Sequence, residues 1–371
     1  MAAMSPRERW LAAMRMQPVD RLPFWPKLSG SYAPAQQPPF DTMTNAEIHR
    51  WIGSDQHNGI SGCVRNQRTK TAVRDEGDDK THTTSFVTPH GTLTRVSQFD
   101  PHSQSWHPVK MPVTCREDIK IMRTFVEDTS PCLDPEGLAK ANVDKARIGE
   151  TSVTSNGVGE SPLMEWVEWL AGVENAHFFL LDYQDEVEAL FEAMQEVLIK
   201  RWQIVAEHSV ADLIYMIENT STTLISPTQY RQYCLPHMQA YAKIANAYDR
   251  NLVLHMCGTL KDVLPELATL PVRAFEAFTS APVGNTSLSE GRAACPDTCL
   301  VGGTNATLWL ASADQIIAEI EADLGRLPHH RGIVVTSAGV MPPLARPETI
   351  KAVCDWVKQF PVRNSCRQAG A

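Results

Sequence analysis

From about residue 146 onward the chain switches regularly between two patterns. Short apolar runs at 147–154, 178–182, 211–217, 251–256, 272–278, 298–302 and 332–336 predict buried strands. Apolar residues at helical spacing in 162–171, 184–208, 226–247, 259–268, 312–324 and 346–359 predict helices between them. Upstream, 5–16 begins with Ser5 in N-cap position followed by Pro6, which predicts a helix. Residues 22–26 suggest a short buried strand and 45–52 a helix. Polar and apolar residues alternate over 81–99 around Thr88-Pro89-His90-Gly91, the pattern of a hairpin. Strand alternating with helix implies a parallel sheet covered by crossover helices. With 22–26 included the strands reach eight, so the expected fold class is α/β, a (β/α)8 TIM barrel. No GxGxxG or Walker loop follows a strand, which counts against an open nucleotide-binding sheet. The expectation is one domain over 1–371, with the hairpin and the segment after it, about 80–107, as an insertion.

Composition narrows the class. A chain of 371 residues with 43% hydrophobic and 21% charged content can bury a large core. Its net charge of −9 argues against nucleic acid as a partner. No apolar run is long enough to span a membrane, and the N-terminus lacks a signal-peptide core, so a cytoplasmic location is expected. The nine cysteines form no CxxC pair. Cys63, Cys115, Cys132, Cys234, Cys354 and Cys366 are expected to be reduced and buried, with Cys295 and Cys299 as spare ligand candidates. His82, His90, His102 and His107 are expected to be solvated.

The chemistry gathers at the strand ends, where a barrel builds its site. In His255-Met256-Cys257-Gly258, after the run 252–254, strand alternation puts His255 and Cys257 on one face. An imidazole and a thiol so placed are half of a zinc site. Glu276 is the lone carboxylate of the next strand and a candidate third ligand, since a buried carboxylate needs compensation. Glu218 and Asn219 end the strand near 214 and are candidates for catalysis, as orienting or acid/base groups. Asn156, Asn305 and Ser337 stand at three further ends and, with Trp25 and Tyr32, are candidates to bind substrate; Trp106 is a further aromatic wall. Asp55 is a candidate by position alone.

Several blocks resemble the uroporphyrinogen decarboxylase superfamily over nearly the whole chain. They are Ser5-Pro6-Arg7-Glu8-Arg9-Trp10 with Asp20-Arg21-Leu22-Pro23, then Ile225-Ser226-Pro227 with Tyr230 and Leu235-Pro236, and then His255-Met256-Cys257-Gly258. Gly302-Gly303-Thr304 and Met341-Pro342-Pro343 with Pro347-Glu348-Thr349-Ile350 complete the set. The decarboxylases carry an arginine-rich element after the first strand, whereas 25–31 here holds no arginine. His-x-Cys instead resembles the zinc- and corrinoid-dependent methyltransferase branch, and Glu276 stands where the related cobalamin-independent methionine synthases carry a glutamate. Both zinc families have a further late Cys, but 336–340 here contains none.

The resemblance implies methyl transfer between a corrinoid protein or methylated small molecule and a thiol or hydroxyl acceptor, or demethylation in reverse. Zinc would be held by His255, Cys257 and Glu276 with one open position. It also implies a corrinoid carried by a partner protein, and a homodimer. Two alternatives stand beside it: a metal-independent decarboxylase of a small or tetrapyrrole acid, with Asp55 or Glu218 as proton donor, and a non-catalytic corrinoid- or tetrapyrrole-binding protein.

Overall fold

The computed structural model describes residues 2–101 and 104–365. His102 and Cys366 lie outside them.

The strands in chain order are β1 (Phe24–Trp25), β2 (Gln56–Gly59), β3 (Val64–Gln67), β4 (Ala72–Gly77), β5 (Thr81–Thr88), β6 (Gly91–Asp100), β7 (Ser105–Lys110) and β8 (Ser130–Leu133). They continue with β9 (Ser152–Gly157), β10 (Leu213–Ile217), β11 (Asn251–His255), β12 (Ala274–Phe278), β13 (Cys299–Gly302) and β14 (Ile333–Thr336). Eight of them form one parallel sheet in the order β1-β14-β13-β12-β11-β10-β9-β2. The Asp55 N–H donates to Phe24 O at 2.8 Å, joining β2 to β1 across the remaining seam. The sheet is a TIM barrel. Among the described residues no helix is long and apolar enough to cross a membrane.

The barrel interior is filled by Trp25, Val153, Leu213, Tyr215, Val253, Ala274, Val301 and Val334, one face of each strand. Trp10, on the helix Pro6–Met14, belongs to the same cluster and packs edge-on against Trp25 at 5.7 Å. That helix has a capping box from Ser5 and Glu8 and a proline in its first turn, so its start is fixed by sequence. The other strand faces pack against the surrounding helices in a second, larger cluster.

One predicted strand is a helix. Residues 178–182 fall in the helix Val173–Asp182, entered through Gly172 at φ +78°. Its apolar run is divided by helical geometry: Ala176 and Leu180 are buried, whereas Phe178 and Leu181 face out. The eighth barrel strand is β2, Gln-His-Asn-Gly, whose composition gives no apolar signal. It is held by parallel pairing with β9 and by His57, whose ring lies 4.5 Å from Trp25 and 4.9 Å from Tyr215 inside the barrel. The hairpin turns at Thr88 and Gly91 and belongs to a four-stranded antiparallel sheet, β4–β7, that spans 72–110. Of the cysteines expected to be buried, Cys115 is exposed and Cys132 half-buried. Cys299 opens β13, at the end of the barrel opposite His255, which removes it from that residue's surroundings.

Candidate active site

His255 ends β11, and Glu276 is its direct neighbour in the β11–β12 register. His255 Nδ1 donates to Glu276 Oε2. The other carboxylate oxygen accepts from Lys27 Nζ at 2.9 Å, and the same ammonium lies 3.4 Å from His255 Nδ1 and 3.3 Å from Ala338 O. Lys27 follows β1, and the loop after β14 clasps it: its N–H donates to Ser337 Oγ at 3.3 Å and its carbonyl accepts from Met341.

Burial works against every charge in this cluster, and mutual pairing overrides it. Glu276 is fully buried, which favours its neutral form, but Lys27 and His255 hold it well below the usual carboxylate range. Burial likewise lowers the His255 imidazolium, yet facing Glu276 and Cys257 it is held well above its ordinary value. At neutral pH two cations face one carboxylate.

A second chain of contacts runs beside it. The Cys257 thiol donates to Asn219 Oδ1 at 3.2 Å, and Asn219 Nδ2 donates to Glu168 Oε2 at 2.8 Å. Glu168 sits on a π-helical turn, Trp166–Leu170, an irregularity often found at functional sites. Its other oxygen is buried with no partner among the described residues. Burial raises the Glu168 carboxyl, and it raises neighbouring Glu160 to about 8, with Glu168 adding to the effect. Glu218 is also fully buried, with its carboxylate against the N–H and hydroxyl of Ser161, and burial pushes it up to about 7. Both Glu218 oxygens are therefore engaged by the loop after β9.

The backbone around these groups is unusual. Asn219, Ala277 and Ala338 have φ of +45°, +64° and +63°, and each is next to a strand end that carries a site residue. Left-handed non-glycine residues tend to collect at functional sites. Gly258 has φ +131°, and a Cβ there would stand 2.5 Å from Ser221 Oγ. Gly258→Ala is expected to cost about 2–3 kcal/mol, read as a lowered thermal midpoint. An unchanged midpoint would show that this turn relaxes freely.

Other candidate residues have different surroundings. Trp25 is buried in the barrel beneath Lys27, whose ammonium is 5.4 Å from its ring. The buried Tyr32 hydroxyl donates to Ala345 O at 2.6 Å. Asn156 ties together Ile60, Ser61 and Ser209, and Asn305 caps the turn at Leu308 while bonding Ser280 and Ala281. Ser337 donates to Gly339 O and supports Lys27. Trp106 lies on β7 against His82 and Phe99, away from β11. Asp55 precedes β2, at the opposite end of the barrel, bound by Arg9 and Arg21. It cannot protonate a substrate at the mouth.

Residues 150–360 match the family model described as Uroporphyrinogen decarboxylase (URO-D). The chain belongs to the uroporphyrinogen decarboxylase family. Two solved structures share the barrel. A methyltransferase from Methanosarcina mazei aligns over 96% of this chain and 99% of its own, at 17% identity and a TM-score of 0.60. A B12-independent methionine synthase from a Shewanella species, solved with selenomethionine, aligns over 91% of this chain and 98% of its own, at 8% identity and a TM-score of 0.50. At these identities the likeness is one of fold. No curated protein matches the sequence.

Zinc, which this superfamily suggests, can be tested against the donors. His255, Cys257 and Glu276 are suitable ligand types, but Lys27 puts an ammonium against Glu276 Oε1 and near His255 Nδ1. The Cys257 thiol is turned to Asn219, and no three His, Cys, Asp or Glu side chains converge on a metal position among the described residues. In this arrangement the residues do not fit a tetrahedral ion. Lys27, in the same 25–31 segment that lacks arginine, was the readable clue: a cation at the end of a barrel strand. Glu168 and Ser161 carried no such signal, since Glu168 lies in a helical segment and Ser161 in the loop that leads into it.

Proposed function

We propose that this member of the uroporphyrinogen decarboxylase family is a methyltransferase in which Lys27 supplies the positive charge expected of zinc. The observation that carries this reading is the Lys27 ammonium held by Glu276 and Ala338 beside His255, next to the Cys257–Asn219–Glu168 chain. With His255 protonated, the cluster has one net positive charge and favours an anionic acceptor, thiolate or alkoxide, in a site of reduced dielectric. The free oxygen of Glu168 takes the acceptor's proton. The acceptor then forms its bond to the methyl carbon while the donor's bond to that carbon breaks, and the electron pair departs with the donor. In reverse, protonated Glu168 returns the proton to the leaving group.

Exposed apolar residues at the end of β10 (Ile217) and on the segments that follow β12, β13 and β14 (Val283, Leu310, Val340 and Leu344) support a large partner at the mouth, such as a protein carrying a corrinoid methyl donor. Zinc-assisted transfer at His255, Cys257 and Glu276 would require Lys27 to vacate its place. The same ammonium also favours the decarboxylase alternative, because it could hold a substrate carboxylate.

The test is loss of methyl from methylcobalamin to a panel of small thiols (2-mercaptoethanol, cysteine, homocysteine), with EDTA present. Turnover should persist in EDTA and fall by about 10²–10⁴ in Glu168→Gln. Activity abolished by EDTA and restored by zinc would favour the metal reading. Failure with every thiol, together with carbon dioxide release from carboxylic acids, would favour the decarboxylase.

A further inference from the structure

A cavity of about 620 Å³ lies beside the strand-end cluster, between the β4–β7 sheet and the helices around the barrel. Three arginines from separate elements line it: Arg68 after β3, Arg95 on β6, and Arg201 on the helix Gln184–His208. Arg68 Nε donates to Thr129 Oγ1 at 2.9 Å, and its guanidinium lies 4.3 Å from the Phe125 ring centre. Arg95 stands over Trp169 at 5.6 Å. Arg201 donates to Asn66 Oδ1 at 3.0 Å, and its Nε is buried with no partner among the described residues. None of the three forms a salt bridge with a carboxylate among the described residues. Three half-buried arginines around one space, without a salt bridge among the described residues, leave it with donors that an anion would satisfy.

Three carboxylates also line the cavity and offset this charge in part. Asp75 accepts from Thr84 Oγ1 at 2.7 Å on the insertion sheet. Burial raises Glu160 to about 8; it also raises Glu165, against the opposing pull of Arg201 and Arg95. Burial also lowers the Arg68 and Arg201 guanidiniums, a desolvation penalty that a bound anion would offset. Phe86, Phe125 and Trp169 give the walls aromatic surface, and the volume is that of an ordinary small-molecule site.

We propose that this cavity binds an organic oxyanion, a carboxylate- or phosphate-bearing small molecule with an apolar or aromatic body, through Arg68, Arg95 and Arg201. The insertion sheet thereby has a role: its strand β6 brings Arg95 to the cavity, and Arg68 reaches it from the end of the neighbouring β3. The proposal does not rest on methyl transfer, and its test reads binding, not turnover.

The probes are 3-phenylpropionate and phenyl phosphate, with neutral 3-phenylpropan-1-ol as control, titrated calorimetrically into the full chain in buffer free of phosphate. At least one anion should bind saturably, the preferred one distinguishing carboxylate from phosphate. The alcohol should bind at least about tenfold more weakly. Arg201→Gln and Arg95→Gln should each weaken the anion about tenfold or more, with Arg201→Lys closer to wild type. Arg95 stacks on Trp169 and forms no salt bridge among the described residues, so its variant keeps the test valid if Arg201→Gln unfolds. The proposal is overturned if neither anion saturates by about 10 mM, if the alcohol binds equally well, or if the folded glutamine variants bind as wild type does.

Discussion

Asp55→Ala should destabilise the protein by about 3–5 kcal/mol, the range for a buried ion pair that loses one partner. Asp55 is fully buried just ahead of β2 and accepts from Arg9 Nη1 at 2.6 Å, Arg21 Nη1 at 2.7 Å and the Phe24 N–H at 3.1 Å. Its own N–H joins β2 to β1, so one residue fixes the seam at which the barrel closes. Alanine would leave the Arg9 guanidinium, itself only 4% exposed, with Asp20 as its sole carboxylate. Denaturant unfolding of wild type, Asp55→Ala and Asp55→Asn measures the effect, with the asparagine smaller because it keeps the shape and one acceptor. A loss under about 1 kcal/mol for alanine would mean that water replaces the carboxylate at the seam. Acid should weaken the same corner. Burial raises Asp20, but its bonds from Arg9 and the Met4 N–H bring it down to about 2. A carboxylate with a lowered folded pKa stabilises above its unfolded value, and this contribution fades as pH falls through about 2.

The sequence made the barrel legible where the strands are apolar and hid it where they are not. β10 to β14 are runs of aliphatic and aromatic residues buried on both faces, and each was foreseen within two residues of its bounds at either end. β2 is polar because its neighbours, and not its composition, hold it in the sheet. Alternation along β11 placed His255 and Cys257 together, and barrel order placed Glu276 beside His255. Such one-strand and adjacent-strand relations are local and survive any detail of loop structure. Glu168 and the arginine cavity depend on which way loops and insertions fold back, which no periodicity encodes. The same limit explains Asn156 and Asn305. Polar residues at strand ends are chosen as often to satisfy loop backbone as to meet a ligand, and both have their amide groups bonded to the protein.

Lys27→Ala is expected to change the site in three ways at once. It removes one of the two cations facing fully buried Glu276, so stability should fall by about 2–3 kcal/mol, less than for a wholly unpaired carboxylate because His255 remains. It removes the charge proposed to stabilise the acceptor anion, and turnover should drop by about 10² or more. It also clears the position beside Glu276 and His255, so under the proposed metal-independent mechanism the variant should take up more zinc than wild type. Metal analysis after dialysis, with Lys27→Arg as a control that keeps the charge, separates the possibilities. Zinc gained by the alanine variant alone would mean that a lysine ammonium and a metal ion compete for one position. Stoichiometric zinc in wild type would mean instead that Lys27 yields to the ion, and the metal-independent mechanism would fall with it. Wild type and variant both free of zinc would trace the lost affinity to the missing late cysteine, because Ala338, in the segment where that cysteine would stand, offers only a backbone carbonyl.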